Sequence, residues 1–207
     1  ITKKSNELDV PFVYLNLIGG QDELVFDGGS FVTDREGKIF YEASEFEEEL
    51  FHIDIPIEPK GSSSNSTLSL RNSSSKIEKL TTKKRKNKHE RMYSALVLGL
   101  RDYVKKNNFD KVLIGISGGI DSALTATIAC DALGPNNVTG ISMPSKYSKS
   151  SSFDDAEKLA SNLEFSLNKV EIEDITDDYR KLISESLNEG LNSLTDQNIQ
   201  ARVRGSL

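Results

Sequence analysis

The chain has 207 residues, 28% of them charged, a formal net charge of −6, one Cys and no Trp. An acidic balance argues against a general nucleic-acid binder, and a lone cysteine cannot close an internal disulfide, which makes a reducing, cytoplasmic setting the default. No apolar run approaches the roughly 20 residues that a membrane-spanning helix needs, and the length suits one or two compact domains.

The chain opens on Ile1 with no signal-peptide pattern and stops inside a helical pattern without a cap, so it reads as a segment of a longer protein. Residues 1–57 are β-rich. Asp9 to Leu17 is an apolar run that predicts a buried strand, broken by Gly19 and Gly20. Glu23 to Phe26 and Ser30 to Thr33 predict a strand pair around the turn at Asp27, Gly28 and Gly29. Asp34 to Gly37 is a further turn, Lys38 to Glu42 a strand, and Phe51 to Ile57 an alternating edge strand ended by Pro56. The acidic residues Asp22, Glu23 and Asp27 sit beside glycines and are read as holding turns. There is too little helix to cover such a sheet, so the stretch reads as the end of a larger α/β domain.

Residues 58–87 change composition abruptly. Serine-rich words at 61–67 and 73–75 offer almost nothing to bury and cannot offset their ordering entropy, so the stretch reads as a flexible linker and domain boundary. The basic run Lys83 to Lys86 ends it and reads as solvated linker. Lys88 to Asn107 then predicts an amphipathic helix with Met92, Leu96, Leu100, Tyr103 and Val104 on one face.

The most informative stretch follows. Val112 to Ile116 is a β-branched apolar run, Ser117 to Ser122 reads Ser-Gly-Gly-Ile-Asp-Ser, and Ala123 to Leu133 has helical spacing. A strand, a glycine turn and a helix gather unpaired N–H groups and a positive helix end at one point, which suits phosphate. Glycines admit close backbone approach, the hydroxyls of Ser117 and Ser122 add donors, and Asp121 suits Mg²⁺ bridging phosphate oxygens. The phosphate-binding set is therefore Gly115, Ile116, Ser117, Gly118, Gly119, Ile120, Asp121 and Ser122, with Asp121 as metal ligand. A Walker A loop needs a lysine that is missing, and Gly115, Gly118 and Gly119 have the wrong spacing for a dinucleotide fingerprint.

Beyond the loop, Gly134 and Pro135 end the helix, Val138 to Met143 is a strand closed by Pro144, and 145–152 is a polar loop. A helix at 153–163, a strand at 166–172, a helix at 174–188 and a last helix from Asp196 to Gly205 complete the order. Alternating strands and helices predict a doubly wound parallel sheet with ligands beyond the carboxyl ends of its strands. Cys130 lies in a helix among alanines, with His52 and His89 far off in sequence, and reads as buried and inert.

Three words carry a resemblance. Ser117 to Ser122 resembles the SGGxDS pyrophosphate loop of the ATP-pyrophosphatases, the adenine-nucleotide α-hydrolase-like type. Asn16 to Ser30 resembles the end of the nitrilase-like glutaminase domain of glutamine-dependent NAD⁺ synthetases. Asp196 to Gly205 is similar to the Glu-Asn-x-Gln-Ala-Arg-x-Arg segment of that family. The resemblance implies a partial nitrilase-like sandwich at 1–57, a linker at 58–87 and a synthetase domain at 88–207. It implies that the glutaminase Glu-Lys-Cys triad lies upstream of Ile1, leaving no catalytic residue of that kind here. It further implies ATP as co-substrate with Mg²⁺, ammonia from glutamine, and deamido-NAD⁺ held by Asn198, Arg202 and Arg204, in a homo-oligomer formed through the synthetase domain. Arg202 and Arg204 are two apart and cannot share a helix face. The segment Met143 to Ser148 is similar to the family's Met-Pro-Ser-Arg-Tyr-Ser word, with Lys146 in place of Arg. The competing enzymes are GMP synthetase, asparagine synthetase and tRNA-thiolating ATP-pyrophosphatases. One cysteine disfavours the last, and 1–57 does not resemble the amidotransferase domain of the first. An adenine-nucleotide-binding module without turnover is the reading from a different class.

Overall fold

In the computed structural model, which describes residues 1–55, 69–71, 86–145, 150–187 and 192–207, the chain divides into two units, Ile1–Tyr103 and Val104–Leu207. The first unit opens with α1 (Thr2–Leu8). Short strands follow among the described residues: β1 (Phe12–Tyr14), β2 (Ile18–Gln21), β3 (Leu24–Asp27), β4 (Phe31–Thr33), β5 (Ile39–Glu42), β6 (His52–Asp54) and β7 (Ser69–Arg71). Helix α2 (Lys88–Lys106) closes this unit and runs on into the second. No helix among the described residues is long and apolar enough to cross a membrane.

The strands pair differently from the sequence expectation. β3 pairs with β2, not with β4, through a tight turn in which Asp22 takes a left-handed φ of 51°. Gly19 and Gly20 therefore lie inside a strand instead of breaking one. Gly28 and Gly29, at φ 71° and 58°, carry the chain out of that hairpin and into the sheet β1–β4–β5. The run Asp9 to Leu17 pairs with β4 only over Phe12–Tyr14, and Val13, Leu15 and Leu17 are exposed. The chain leaves the ladder at Asn16, whose N–H donates to Ser30 Oγ at 2.9 Å and whose amide donates to Gly28 O at 2.8 Å and Asp27 Oδ1 at 3.1 Å. α1 has no sequence signal, because its only buried residue is polar. Ser5 Oγ lies 2.6 Å from Val10 O, and Thr33 Oγ1 lies 3.0 Å from it. β6 pairs with β7, which comes from the serine-rich stretch. The rest of that stretch up to Arg85, most of the basic run included, lies outside the described residues.

Helix α2 buries only part of the apolar face that its pattern predicts. Met92, Leu96 and Tyr103 are exposed, whereas Val104 is buried as expected, Leu100 is half-buried, and Leu98 from outside that face is buried too. The reason is a glycine contact. A Cβ on Gly20 would lie 3.1 Å from Gly99 Cα and 3.2 Å from Asp102 Cβ, so β2 and α2 touch backbone to backbone. Asp102 Oδ2 accepts the Gly20 N–H at 2.7 Å in the same place.

The second unit is the α/β fold that the order of elements predicts. β8 (Val112–Gly115), α3 (Ile120–Leu133), β9 (Val138–Ser142), α4 (Ser150–Leu163), β10 (Ser166–Lys169), α5 (Glu173–Leu187) and α6 (Ser193–Ser206) follow in turn. The strands are parallel in the order β10–β9–β8, with Gly115 level with Ile141 and Ser142 level with Lys169, so their carboxyl ends share one edge. Helices α3 and α4 pack against each other and against these strands through small buried residues, Ala126, Ala129, Ala132, Ala156 and Ala160. Gly134 at φ 84° stops α3 directly before Pro135.

Gly140, in the middle of β9, is filled in by its neighbours: a Cβ there would lie 2.7 Å from Phe165 Cε2 and 2.9 Å from Leu167 Cδ1. Overpacking of this kind costs about 1–3 kcal/mol, so Gly140→Ala is expected to lower the unfolding midpoint in urea without changing the substrates turned over. An unchanged midpoint would mean that the Phe165 ring moves aside.

Candidate functional site at the carboxyl edge of the parallel sheet

The site grows out of β8. Ile116 is buried and its N–H donates to Ile141 O at 2.8 Å, so it extends the ladder by one bond and anchors the loop from beneath. Gly115, the last residue of β8, is exposed, and a Cβ there would meet only Met143 Cε at 3.7 Å. The chain then turns at Gly118, where φ is 79°, a region that L side chains avoid. A Cβ at this position would fall 2.3 Å from Ser152 O, in the first turn of α4. Gly118 thus meets two demands at once, a left-handed backbone and direct contact with another helix.

The two serines brace the loop from inside. Ser117 Oγ accepts the Gly119 N–H at 3.2 Å, and Ser122 Oγ accepts the Ser117 N–H at 3.2 Å. Ser122 Oγ also donates to Gly119 O at 3.0 Å, and the two hydroxyls lie 3.1 Å apart. These bonds fix the turn and narrow the donors that face outward. The N–H groups of Gly118, Ile120, Asp121 and Ser122 have no hydrogen-bond acceptor among the described residues. Three of them are the orphan donors of the first turn of α3, whose N-cap, Gly119, makes no side-chain cap. Such a cluster holds an anion by geometry and by the helix dipole together. Asp121 is exposed on that turn and its carboxylate has no hydrogen bond or ion pair among the described residues, while its carbonyl accepts from Thr125 Oγ1 at 2.9 Å.

The second set of expected site residues lies on α6. Asn192 caps this helix, its side-chain oxygen accepting the Thr195 N–H at 2.8 Å. Ile199 and Val203 are buried and form a core with Ile172, against which Met143 and Ile183 pack. Asn198 and Arg202, one turn apart, are exposed on a neighbouring face. Arg204 turns the other way and its Nε donates to Met143 O at 3.2 Å, just past β9. Asn198 and Arg202 are thus brought together and Arg204 is separated from them, towards the sheet edge. Lys146 lies outside the described residues.

Sequence reasoning missed the partners of these groups. Ser152 and Met143 contribute main-chain oxygens, which no side-chain pattern reveals. Arg180 on α5 was also missed: its Nη1 meets Glu173 Oε1 at 2.8 Å, and the guanidinium bonds Asp177 and Asp196. Cys130 is buried as expected, and burial, helped by Asp131, pushes its thiol up from the usual range, which suits an inert side chain. In the first unit, a cleft of about 510 Å³ is lined by Val25, Phe46, Lys86, Lys88, Arg91 and Met92 among others. Two of its cations are engaged: Arg91 pairs with Asp27 and Glu45, and Lys86 meets Ser94 and the Phe46 ring. Among the described residues there is no cluster of three or more His, Cys, Asp or Glu that could form a protein-only metal site.

The model of the NAD synthase family matches residues 92–207, more than half of the chain. A glutamine-dependent NAD(+) synthetase of Thermotoga maritima is 37% identical over 223 aligned positions, covering 100% of this chain and 39% of the relative. Among solved structures, that of a glutamine-dependent NAD⁺ synthetase from Acinetobacter baumannii in complex with adenosine diphosphate superposes with a TM-score of 0.82 at 31% identity, covering 99% of this chain and 36% of that one. An NH3-dependent NAD synthetase from Campylobacter jejuni superposes with a TM-score of 0.52 at 30% identity over 58% of this chain and 50% of that one. The chain therefore spans under two fifths of the length of the Thermotoga relative.

Proposed function

The chain belongs to the NAD synthase family, and from that premise we propose that it is the part of a glutamine-dependent NAD⁺ synthetase that joins the glutaminase to the ATP site. On this reading residues 1–57 end a nitrilase-like glutaminase domain whose Glu-Lys-Cys triad lies upstream of Ile1. Residues 58–87 connect, and 88–207 begin the synthetase domain. The protein acts in the cytoplasm and assembles as a homo-oligomer through that domain. An exposed apolar stripe on α5, Ile175, Tyr179 and Leu182, supports the last point.

The reaction has two steps. The nicotinate carboxylate of deamido-NAD⁺ attacks the α-phosphate of ATP, forming an adenylate and releasing pyrophosphate. Ammonia from glutamine then displaces AMP and forms the amide. The carboxylate is already a nucleophile at neutral pH, so the first step needs no base. It needs the charge on the departing pyrophosphate to be stabilised. The outward N–H groups of Gly118, Ile120, Asp121 and Ser122 are placed to do this. A preorganised loop pays no reorganisation cost at that moment. Asp121 would hold Mg²⁺, which supplies positive charge to the phosphate oxygens. One exposed carboxylate fits an ion that keeps waters and takes its other ligands from phosphates. Asn198, Arg202 and Arg204 hold deamido-NAD⁺ on this reading, Arg204 with its Nε already donating to Met143 O.

The observation that carries this reading is Gly118, whose missing side chain lets the loop seat against Ser152 O while four N–H groups of the turn keep no acceptor among the described residues. The test is pyrophosphate release from ATP by the full-length protein, offered deamido-NAD⁺ or xanthosine monophosphate. Release only with deamido-NAD⁺ is expected. Release only with xanthosine monophosphate would make the protein a GMP synthetase-like amidotransferase, and ATP binding without release with either would make it a nucleotide-binding module.

A further inference from the structure

We propose that Arg180 is the positioning residue of the dinucleotide-facing side of α6, an inference that rests on the function proposed above. Two buried residues, Ile199 and Val203, hold α6 against Ile172. An apolar stripe resists separation, but it is non-directional and tolerates rolling and sliding. Rotation and register need directional bonds, and Arg180 supplies them. Its Nε donates to Asp196 Oδ1 on α6, while Nη1 donates to Glu173 Oε1 at 2.8 Å and to Asp177 on its own helix. The second oxygen of Asp196 accepts from Gln200 Nε2 at 2.9 Å, and Gln200 is buried. Both carboxylate oxygens of Asp196 are therefore committed, one across to α5 and one along α6.

Asp196 and Gln200 stand two positions before Asn198 and Arg202 respectively. Any roll of α6 at this clamp displaces both exposed side chains together. The far end is held separately, by Arg204 Nε on Met143 O. One guanidinium faces Glu173, Asp177 and Asp196, so its removal takes a shared positive charge away from three carboxylates at once. The side chains of Arg180 and Asp196 are each only 15% exposed, so water screens the bond between them weakly, whereas Asp177 at 57% is well solvated. The Asp196 bond above all holds the guanidinium charged, against the opposing effect of burial. Lysine carries the same charge as a single point donor and cannot span the fork.

The experiment uses the full-length protein and measures KM for deamido-NAD⁺ and for ATP, kcat, and glutamine hydrolysis in Arg180→Lys, Arg180→Ala and Asp196→Asn. Misplacement of a substrate-holding helix by about 1 Å costs on the order of 100-fold, so KM for deamido-NAD⁺ is expected to rise roughly 10- to 100-fold in Arg180→Lys, with KM for ATP and glutamine hydrolysis unchanged. Asp196→Asn keeps an acceptor for Nε and should lose less. If Arg180→Ala does not fold, the other two variants decide. An unchanged KM for deamido-NAD⁺ in Arg180→Lys overturns the inference, and so does a parallel loss in every parameter, which would mark a merely structural residue. A wild-type protein that does not amidate deamido-NAD⁺ sinks the proposed function and this role with it. A wild type that turns over normally beside an indifferent Arg180→Lys sinks this role alone.

Discussion

Gly118→Ala in the full-length protein is expected to lower ATP-dependent amidation by about 100-fold or more while glutamine hydrolysis continues. Two costs combine. A non-glycine residue at φ 79° costs about 1–3 kcal/mol by itself. The new Cβ would also sit 2.3 Å from Ser152 O and 2.9 Å from Ser152 Cα. These are main-chain atoms in the first turn of α4 and cannot rotate away. Either the loop lifts or α4 retreats, and both displace the N–H groups that face the phosphates. Gly119→Ala is the internal control. Its φ is −91°, and the added Cβ would meet only the Ser117 hydroxyl at 3.3 Å, so a much smaller effect is expected. Pyrophosphate release and the thermal midpoint, measured on both variants, check this. Normal release by Gly118→Ala would show that the loop is not the phosphate cradle.

Asp121→Ala is expected to separate stability from chemistry. The side chain is exposed and makes no bond among the described residues, so its loss should move stability by no more than about 0.5 kcal/mol. Adenylation should nevertheless fall about 100- to 1,000-fold, the scale seen when one preorganised charge-stabilising group is removed. The sign of a second measurement discriminates further. Without a cation, a carboxylate beside a triphosphate repels it, so Asp121→Ala should bind Mg²⁺-free ATP more tightly than the wild type and Mg²⁺-ATP less tightly. Isothermal titration with and without Mg²⁺ reads this reversal. Adenylation at the normal rate in Asp121→Ala would remove the proposed role.

The second unit was legible because its signals are local. Val112 to Ile116 announces a strand, Gly134 and Pro135 end a helix, and the alternation of elements leaves few topologies. The glycine loop was legible for the same reason: its backbone geometry is written in consecutive residues. The first unit was harder because its order comes from contacts between distant residues. The hairpin β2–β3 could not be told from the expected pairing of β3 with β4, since two glycine pairs compete as turn signals and Asp22 makes the actual turn. The inward face of α2 was legible at Leu100 and Val104 but not at its start, because hydrophobic periodicity scores Met92 and Leu96 and gives no weight to Gly99. The bond from Arg180 to Asp196 crosses between two helices, and the local pairs that flank it, Arg180 with Asp177 at i,i+3 and Asp196 with Gln200 at i,i+4, do not reveal the crossing.

The bond from Gly20 to Asp102 joins residues 82 positions apart. α2 can dock on its hairpin only after that whole stretch of polymer has been drawn into a ring. The entropy of ring closure grows with the logarithm of contour length, and a doubling costs only about 0.6 kcal/mol. Ten extra serines between β6 and α2 would therefore change the docking equilibrium by only about 0.1 kcal/mol. Natural drift in the length of this stretch should be thermodynamically almost silent, whereas a single methyl at Gly20 should not be.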